Sequence, residues 1–387
     1  MADHRTTLTR VGALLVSALL PASTAAEVVD RRTTVAASGE VTQLSEAGLL
    51  AVENRNAVSG ALLDADGDGR TDVLVVHRLD VEPPLLYLSR PEGQLQEDGA
   101  ARLPGLPGGV SAVVATADFN ADGWTDVFLG RTPADALWLA DGAGGFRDAT
   151  AVWLPAGTGG TVQAAASDFT GDGLPDIVVL RQGRASLLEN VRGLGLREVV
   201  LELSLVAEGT SHLAAADADA DGDADLFAAS ETHFSLALQG GAGRWERIVR
   251  PNPGGLPVSG VSAVDVDGDG AAECIVSRDD RPVLLSYLAG RWRLTHLPQL
   301  PGPAASPAAA DFNGDGRIDL FFPVIGVDAL FLQEEEGRRW TLATHWVAQD
   351  HEAGRWAAVL DANFDGHTDL YIANDGQDSF YLQQPSP

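Results

Sequence analysis

Short apolar runs recur along the chain at regular intervals: VLVV, VFLG, IVVL, LFAA, CIVS, LFFP and LYIA. They are rich in β-branched and aromatic residues and too short for helices, so each predicts a strand. After each comes a turn and a second run, LLYL, ALWL, SLLE, SLAL, LLSY, ALFL or SFYL. Before each stands a polar segment led by a run of small residues. A fourth run often follows a Gly-rich turn, as in GAGGFRDAT from Gly142 and GAGRWERIV from Gly241. Four strands of about five to six residues, with their turns, make one blade of a β-propeller.

The unit occurs seven times. The expected fold is all-β, a seven-bladed β-propeller of four-stranded antiparallel blades over residues 38–387. The small-residue runs, Ala164 to Ala166, Ala214 to Ala216, Ala308 to Ala310, and Ala357 with Ala358, suit innermost strands crowded round an axis. Trp138, Phe146, Trp245, Trp292 and Trp340 suit the widening space between blades. The last copy carries only three strands, ending in SFYLQQ, while SGEVTQLSEAGLLA from Ser38 matches the outer run GGFRDATAVWLPA from Gly144 in character. The N-terminal strand is therefore expected to complete the last blade, with residues 40–45 beside 379–383, and so to remove open sheet edges.

The polar segments set the period. DADGDGRTD begins at Asp64, DFNADGWTD at Asp118, DFTGDGLPD at Asp168, DADADGDAD at Asp217, DVDGDGAAE at Asp265, DFNGDGRID at Asp311 and DANFDGHTD at Asp361, with spacings of 54, 50, 49, 48, 46 and 50 residues. Positions 1, 3, 5 and 9 carry side-chain oxygens. They are Asp64, Asp66, Asp68 and Asp72; Asp118, Asn120, Asp122 and Asp126; Asp168, Thr170, Asp172 and Asp176; Asp217, Asp219, Asp221 and Asp225. The last three sets are Asp265, Asp267, Asp269 and Glu273; Asp311, Asn313, Asp315 and Asp319; Asp361, Asn363, Asp365 and Asp369. Position 7 varies freely (Arg70, Trp124, Leu174, Asp223, Ala271, Arg317, His367), as a backbone-carbonyl ligand permits, and position 6 is always glycine, as a sharp turn requires. Hard oxygen donors without thiolate select Ca²⁺ over transition metals, and their crowding suits its six- to eight-fold coordination better than the octahedron of Mg²⁺. Up to seven Ca²⁺ ions are expected, held most weakly where Thr170 and Glu273 depart from the pattern. An apolar residue at position 12 and a following strand exclude the EF-hand.

Charge agrees. The chain has 26 Lys+Arg against 55 Asp+Glu, a formal net charge of -29, and 24 of the 28 side chains in the four ligand positions are carboxylates. Carboxylates ~5 Å apart repel by roughly 1–3 kcal/mol per pair at intermediate dielectric, so the clustering calls for a cation. The ions are expected to be mainly structural. The same charge argues against nucleic acid and anionic lipid as partners. Cys274 stands alone, so there is no internal disulfide, and a small core residue is its simplest role.

Residues 1–26 combine a basic start, the apolar run VGALLVSALL and the small residues PASTAA, which predicts a secretory signal peptide and an exported protein, followed by a flexible leader over 27–37. The run is too short to span a bilayer, and no membrane insertion is expected.

The seven nonapeptides, the small-residue lead-in ending in Asp such as VVATADFNADGWTD, and tails such as LFLQ and LWLADGAGGF resemble the FG-GAP, or VCBS, repeat family. That family builds the integrin α-subunit propeller and many bacterial exported proteins. DGHTDLYIANDGQDSFYLQQ from Asp365, with SEAGL from Ser45, is similar to bacterial relatives of cartilage acidic protein. The resemblance implies a propeller and calcium, with functions ranging from adhesion to carbohydrate binding and polysaccharide cleavage.

In a four-strand meander the nonapeptides share one face of the ring. The opposite connections carry Arg55, Arg78, Arg131, Arg181, Arg184, Arg278, Arg281 and Arg355, with His212, His233, His351 and Trp356 nearby. Arg55, Arg131, Arg181, Arg278, Arg355 and Trp356 are the candidate ligand residues of a mouth suited to an anionic group. The alternative is that the arginines are turn residues or pair with Asp80, Glu82, Asp279 and Asp280. No nucleophile elbow or zinc motif is present, and His351 beside Glu352 is adjacency alone. The reading is a monomeric, non-catalytic binding, adhesion or scaffold module with a protein or glycan ligand, the alternative a lyase-like polysaccharide enzyme or lectin on the same ring.

Overall fold

A computed structural model of the chain describes residues 44–46 and 57–383, apart from 79–82, 92, 99–100, 182–183, 200–208, 241–243, 279–280, 336, 338, 344–352 and 377. The expected signal segment and leader, Arg55, His351 and Glu352 lie outside the described residues. So do Asp80, Glu82, Asp279 and Asp280, the acidic partners weighed for the arginines.

The described strands form seven four-stranded antiparallel sheets, and a helical turn at Thr150–Trp153 lies between the second and third. The first strands of the sheets are Ala57–Leu63, Val110–Ala117, Thr161–Ser167, His212–Ala216, Val258–Val264, Ala308–Ala310 and Gly354–Leu360. First strands of neighbouring sheets pack against one another round most of the ring, the fifth and sixth blades meet where Ser259 Oγ and Ser262 Oγ donate to Ala304 O and Pro307 O, and Gly354–Leu360 packs on Ala57–Leu63, so the seventh blade meets the first and the ring is complete. Within six sheets the strands follow chain order. The seventh runs Gly354–Leu360, Asp369–Asn374, Ser379–Gln383, then Leu44–Glu46, with Leu44 opposite Gln383 and Glu46 opposite Tyr381.

The second strand of each blade is covered on both faces, which is why its apolar run is continuous rather than alternating. In the second strand of the fourth blade, Leu226 and Ala228 pack toward the third blade, while Phe227 and Ala229 pack toward the fifth. The core is accordingly a ring of seams, each apolar cluster drawing residues from adjacent blades. Trp138, Phe146 and Trp340 are buried in these seams; Trp245 and Trp292 are half-buried at their outer ends. Cys274 is buried between the fourth and fifth blades. At the last seam the Trp356 indole lies on Gly60, where an added Cβ would come within 2.1 Å of the ring.

Five of the seven inner strands share an irregularity. Their pairing slips by one residue between Ala57 and Ser59, Ser111 and Val113, Thr161 and Gln163, Val258 and Gly260, and Gly354 and Trp356. Each slip is a bulge at the start of an inner strand, the end remote from the nonapeptides, and bulges re-aim side chains. Val58, Ala112, Ser259 and Arg355, the residues skipped in four of them, line a cavity on the ring axis.

Candidate metal centres

All seven nonapeptides join an inner strand to the second strand of the same blade, and position 9 is in each case the first residue of that second strand. The seven loops therefore crown one face of the ring. Position 6 is a glycine with φ between 82° and 94°, as its invariance in the sequence implied. Position 4 is also left-handed in every loop, φ between 58° and 76°, although it is Gly67, Ala121, Gly171, Ala220, Gly268, Gly314 and Phe364 in turn. This second left-handed residue was not legible, because alanine and phenylalanine rarely take that conformation.

The reversals curl the backbone so that its amides point inward. The position 6 N–H donates to the position 1 carboxylate at 2.7–3.0 Å in all seven loops. The position 7 N–H donates to the position 5 carboxylate at 2.9–3.0 Å, again in all seven.

Position 9 does more than face the loop. Its buried carboxylate accepts the position 2 N–H at 2.7–3.1 Å in every loop. In six loops its other oxygen accepts an N–H at 2.7–2.9 Å from Ser89, Ala140, Asn190, Gln239, Gln333 or Gln383 of the third strand. One carboxylate thus clamps the loop to the blade. Burial pushes Asp72, Asp126, Asp225, Asp319 and Asp369 up to about 7 and Asp176 to about 6, against the lowering effect of these amides. Glu273 is pushed to about 8, burial again the main cause and the neighbouring Asp267, Asp269 and Asp265 adding to it.

The donor set fits a hard cation on three observations. Carboxylate oxygens of Asp64, Asp66 and Asp72, of Asp217, Asp219 and Asp225, and of Asp265, Asp267 and Asp269 converge within 4.8 Å of one another. At position 3, Asp66 Oδ1 and Asn120 Oδ1 are buried without a hydrogen-bond partner, as oxygens meant for an ion would be. No histidine or thiol enters these clusters. In the fifth loop the convergent set omits Glu273, although it accepts the position 2 N–H of Val266 as position 9 does in every loop. In the third loop Thr170 turns its hydroxyl toward Asp176. Arg70 and Arg317, at position 7, pair through their guanidinium groups with the position 5 carboxylates Asp68 and Asp315.

Loops also touch along the ring. The Trp124 indole covers Gly67 of the preceding loop, and Arg70 stacks 5.3 Å from the Phe364 ring centroid across the last seam. Beneath them runs a set of amide staples. Asn190 Nδ2 donates to Phe119 O at 2.7 Å, Gln333 Nε2 to Val266 O at 2.8 Å and Gln383 Nε2 to Phe312 O at 3.0 Å, in each case the position 2 carbonyl of the preceding blade's loop. Gln239, with its amide nitrogen turned to the carbonyls, reaches Phe169 O at 3.3 Å in the same way. All four lie fourteen residues after position 9, a sequence signal that loop-centred reading passes over.

The expected arginine mouth is largely dismantled. Arg131 and Arg278 are 1% and 2% exposed. Arg131 Nη2 donates to Pro107 O at 2.7 Å, and Arg278 donates to Arg281 O, Pro253 O and Asn252 Oδ1 at 3.0–3.2 Å. Both sit near the ends of second strands, where turn carbonyls fold over them and need donors. Arg181 bridges buried Asp135 and Glu198, and Arg281 donates to Leu297 O. Trp356 is a seam residue rather than a platform. Arg78, Arg184 and His233 are exposed. Of the described candidates, Arg355 and Trp356 line the axial cavity, and the Arg355 guanidinium also meets Asp375.

The pattern described as FG-GAP-like repeat matches residues 64–129, 118–179, 217–276 and 265–322. A search of curated proteins gives no significant match. Among solved structures, an Agrocybe aegerita lectin that recognises non-reducing terminal N-acetylglucosamine shares 14% identity, with a TM-score of 0.56 over 84% of this chain and 87% of its own. BBS1N in complex with ARL6DN shares 8% identity, TM-score 0.58, over 90% of this chain and 98% of its own. The extracellular domain of the one-component system BT4673 from B. thetaiotaomicron shares 11%, TM-score 0.54, over 89% of this chain and 40% of its own. At such identities the likeness is one of fold.

Proposed function

Because the chain belongs to the FG-GAP-like repeat family, we propose that it is an exported propeller whose loops hold calcium and whose surface serves a glycan or protein partner without catalysis. The observation that carries the calcium reading is the convergence of carboxylates at positions 1 and 3 with position 9 or 5, together with the partnerless buried oxygens at position 3. Positions 1, 3, 5 and 9 and the carbonyl of position 7 would hold each ion. When bound, the ion supplies the positive charge that cancels repulsion among these acids. The chain's own amides already orient positions 1, 5 and 9, so a cation meets a formed cage rather than a random loop.

Export rests on the basic, apolar and small-residue succession of residues 1–26. The partner class rests on the ring itself, since a rigid wall with variable connections presents ligand-binding surface at its faces. The likeness to a sugar-binding lectin of the same fold makes a glycan the first class to try. Calorimetric titration of the purified chain with Ca²⁺ should show uptake at several sites, and a glycan and protein array probed with and without chelator should then show binding that needs calcium. Absence of any calcium heat would sink the proposal.

A further inference from the structure

The axial cavity lies at the starts of the inner strands, on the face opposite the acidic loops, and has a volume of about 90 Å³. Although the chain carries a net charge of -29, none of the residues lining this cavity is acidic. Its polar lining is Ser59, Gln163, His212, Ser259, Ser306 and Arg355. Two of these are already committed. Ser259 Oγ donates to Ala304 O at 2.5 Å, and the His212 ring bonds Ser211 Oγ and the Ser259 backbone. The others point to a guest. Ser59 Oγ accepts the Val114 N–H at 3.2 Å and Ser306 Oγ accepts the Val261 N–H at 3.1 Å, so each hydroxyl keeps its own proton to donate. Ser306, Arg355 and Ser59 sit on the sixth, seventh and first blades, which are consecutive round the ring, so two hydroxyl donors flank one guanidinium on a single wall. Trp356, beside Arg355 in the same lining, carries a buried indole N–H without a partner among the described residues.

We propose that this cavity is a binding site for a carboxylate group. A wall of donors around one guanidinium, in a pocket free of acids, matches a planar anion with two acceptor oxygens. The volume admits that group and a few attached carbons, so a larger acid would enter carboxylate first. Asp375, which pairs with Arg355 from outside the lining, holds the guanidinium in place and keeps the affinity modest. The inference names a ligand class for the binding-module reading and rests on it only to that extent, since calcium uptake and acid uptake occur on opposite faces.

The test is a saturation-transfer NMR titration of the full, calcium-loaded chain with acetate, glucuronate and glucose. Acetate represents a free small acid, glucuronate the acid group of a sugar, and glucose the same sugar ring without the charge. Both acids, or one of them, should show transfer and glucose none; which acid binds tighter assigns the source. Arg355→Gln should weaken binding at least tenfold. Ala112→Leu, which pushes three carbons into the cavity and alters no charge, should abolish it while calcium uptake and melting temperature stay put. If Arg355→Gln fails to fold, Ala112→Leu decides alone. No transfer from either acid, equal transfer from glucose, or undiminished binding in Ala112→Leu would each overturn the inference. Acid binding by a chain that takes up no calcium would leave this site standing and remove the calcium reading.

Discussion

At the scale of single residues, the loop carboxylates divide into two kinds. Those at positions 1 and 5 accept amides of their own loop only, whereas position 9 is buried and shares its oxygens between an amide of the loop and, in six loops, one of the third strand. Replacing Asp126 by Asn keeps the shape but turns an NH₂ group onto a backbone N–H, leaving two buried donors face to face. The expected cost is about 1–3 kcal/mol. Urea unfolding in chelator, which removes any metal contribution, should show it, with Asp122→Asn as a milder control. Equal stabilities for the two variants would mean that position 9 is only a ligand. The carboxylates and the position 6 glycine could be read from spacing. The left-handed position 4 could not, since Ala121, Ala220 and Phe364 disguise it and only the folded loop imposes that φ.

At the scale of elements, the second strands were legible because burial on both faces makes their sequences uniformly apolar, and turns because glycine punctuates them. The connections between blades were not. Asn190 is an unremarkable polar residue in sequence, yet its amide donates to Phe119 O in the preceding blade and to Pro175 O in its own. Asn190→Leu removes both bonds and should lower unfolding free energy by about 1–3 kcal/mol with little change in the far-UV spectrum; a neutral substitution would show the staple to be dispensable. The strand Leu44–Glu46 is a second element whose weight is open to measurement. Deleting residues 38–47 should lower the melting temperature and raise the tendency to associate through the exposed edge of Ser379–Gln383. An unchanged, monomeric variant would show that the seam between the seventh and first blades, with Trp356 on Gly60, holds the ring without it.

At the scale of the whole molecule, the ring is polarised: acidic loops crown one face, and a donor-lined cavity opens at the other. If the loops hold calcium as proposed, a free concentration about tenfold above Kd would contribute ~1.4 kcal/mol per site, so several sites together would rival the ~5–15 kcal/mol net stability of a typical domain. Thermal melts should therefore fall steeply in chelator and recover with Ca²⁺, and recover less with Mg²⁺, whose strict octahedral shell fits these crowded oxygens poorly. An unchanged melting temperature in chelator would assign the acids some other role.

Period and blade number were determined by the sequence alone, because each copy repeats the same local contacts, and repetition exposes whatever local physics requires. The fate of the arginines was decided only by tertiary structure. Arg131 and Arg278 seemed available for a ligand along the chain, but the turns folding over them brought carbonyls that had to be satisfied out of water. Arg355, of the same chemistry, sits instead at a bulge on the axis. Local residues choose the conformation of a loop; whether a charge faces solvent, backbone or cavity depends on which distant segments pack beside it.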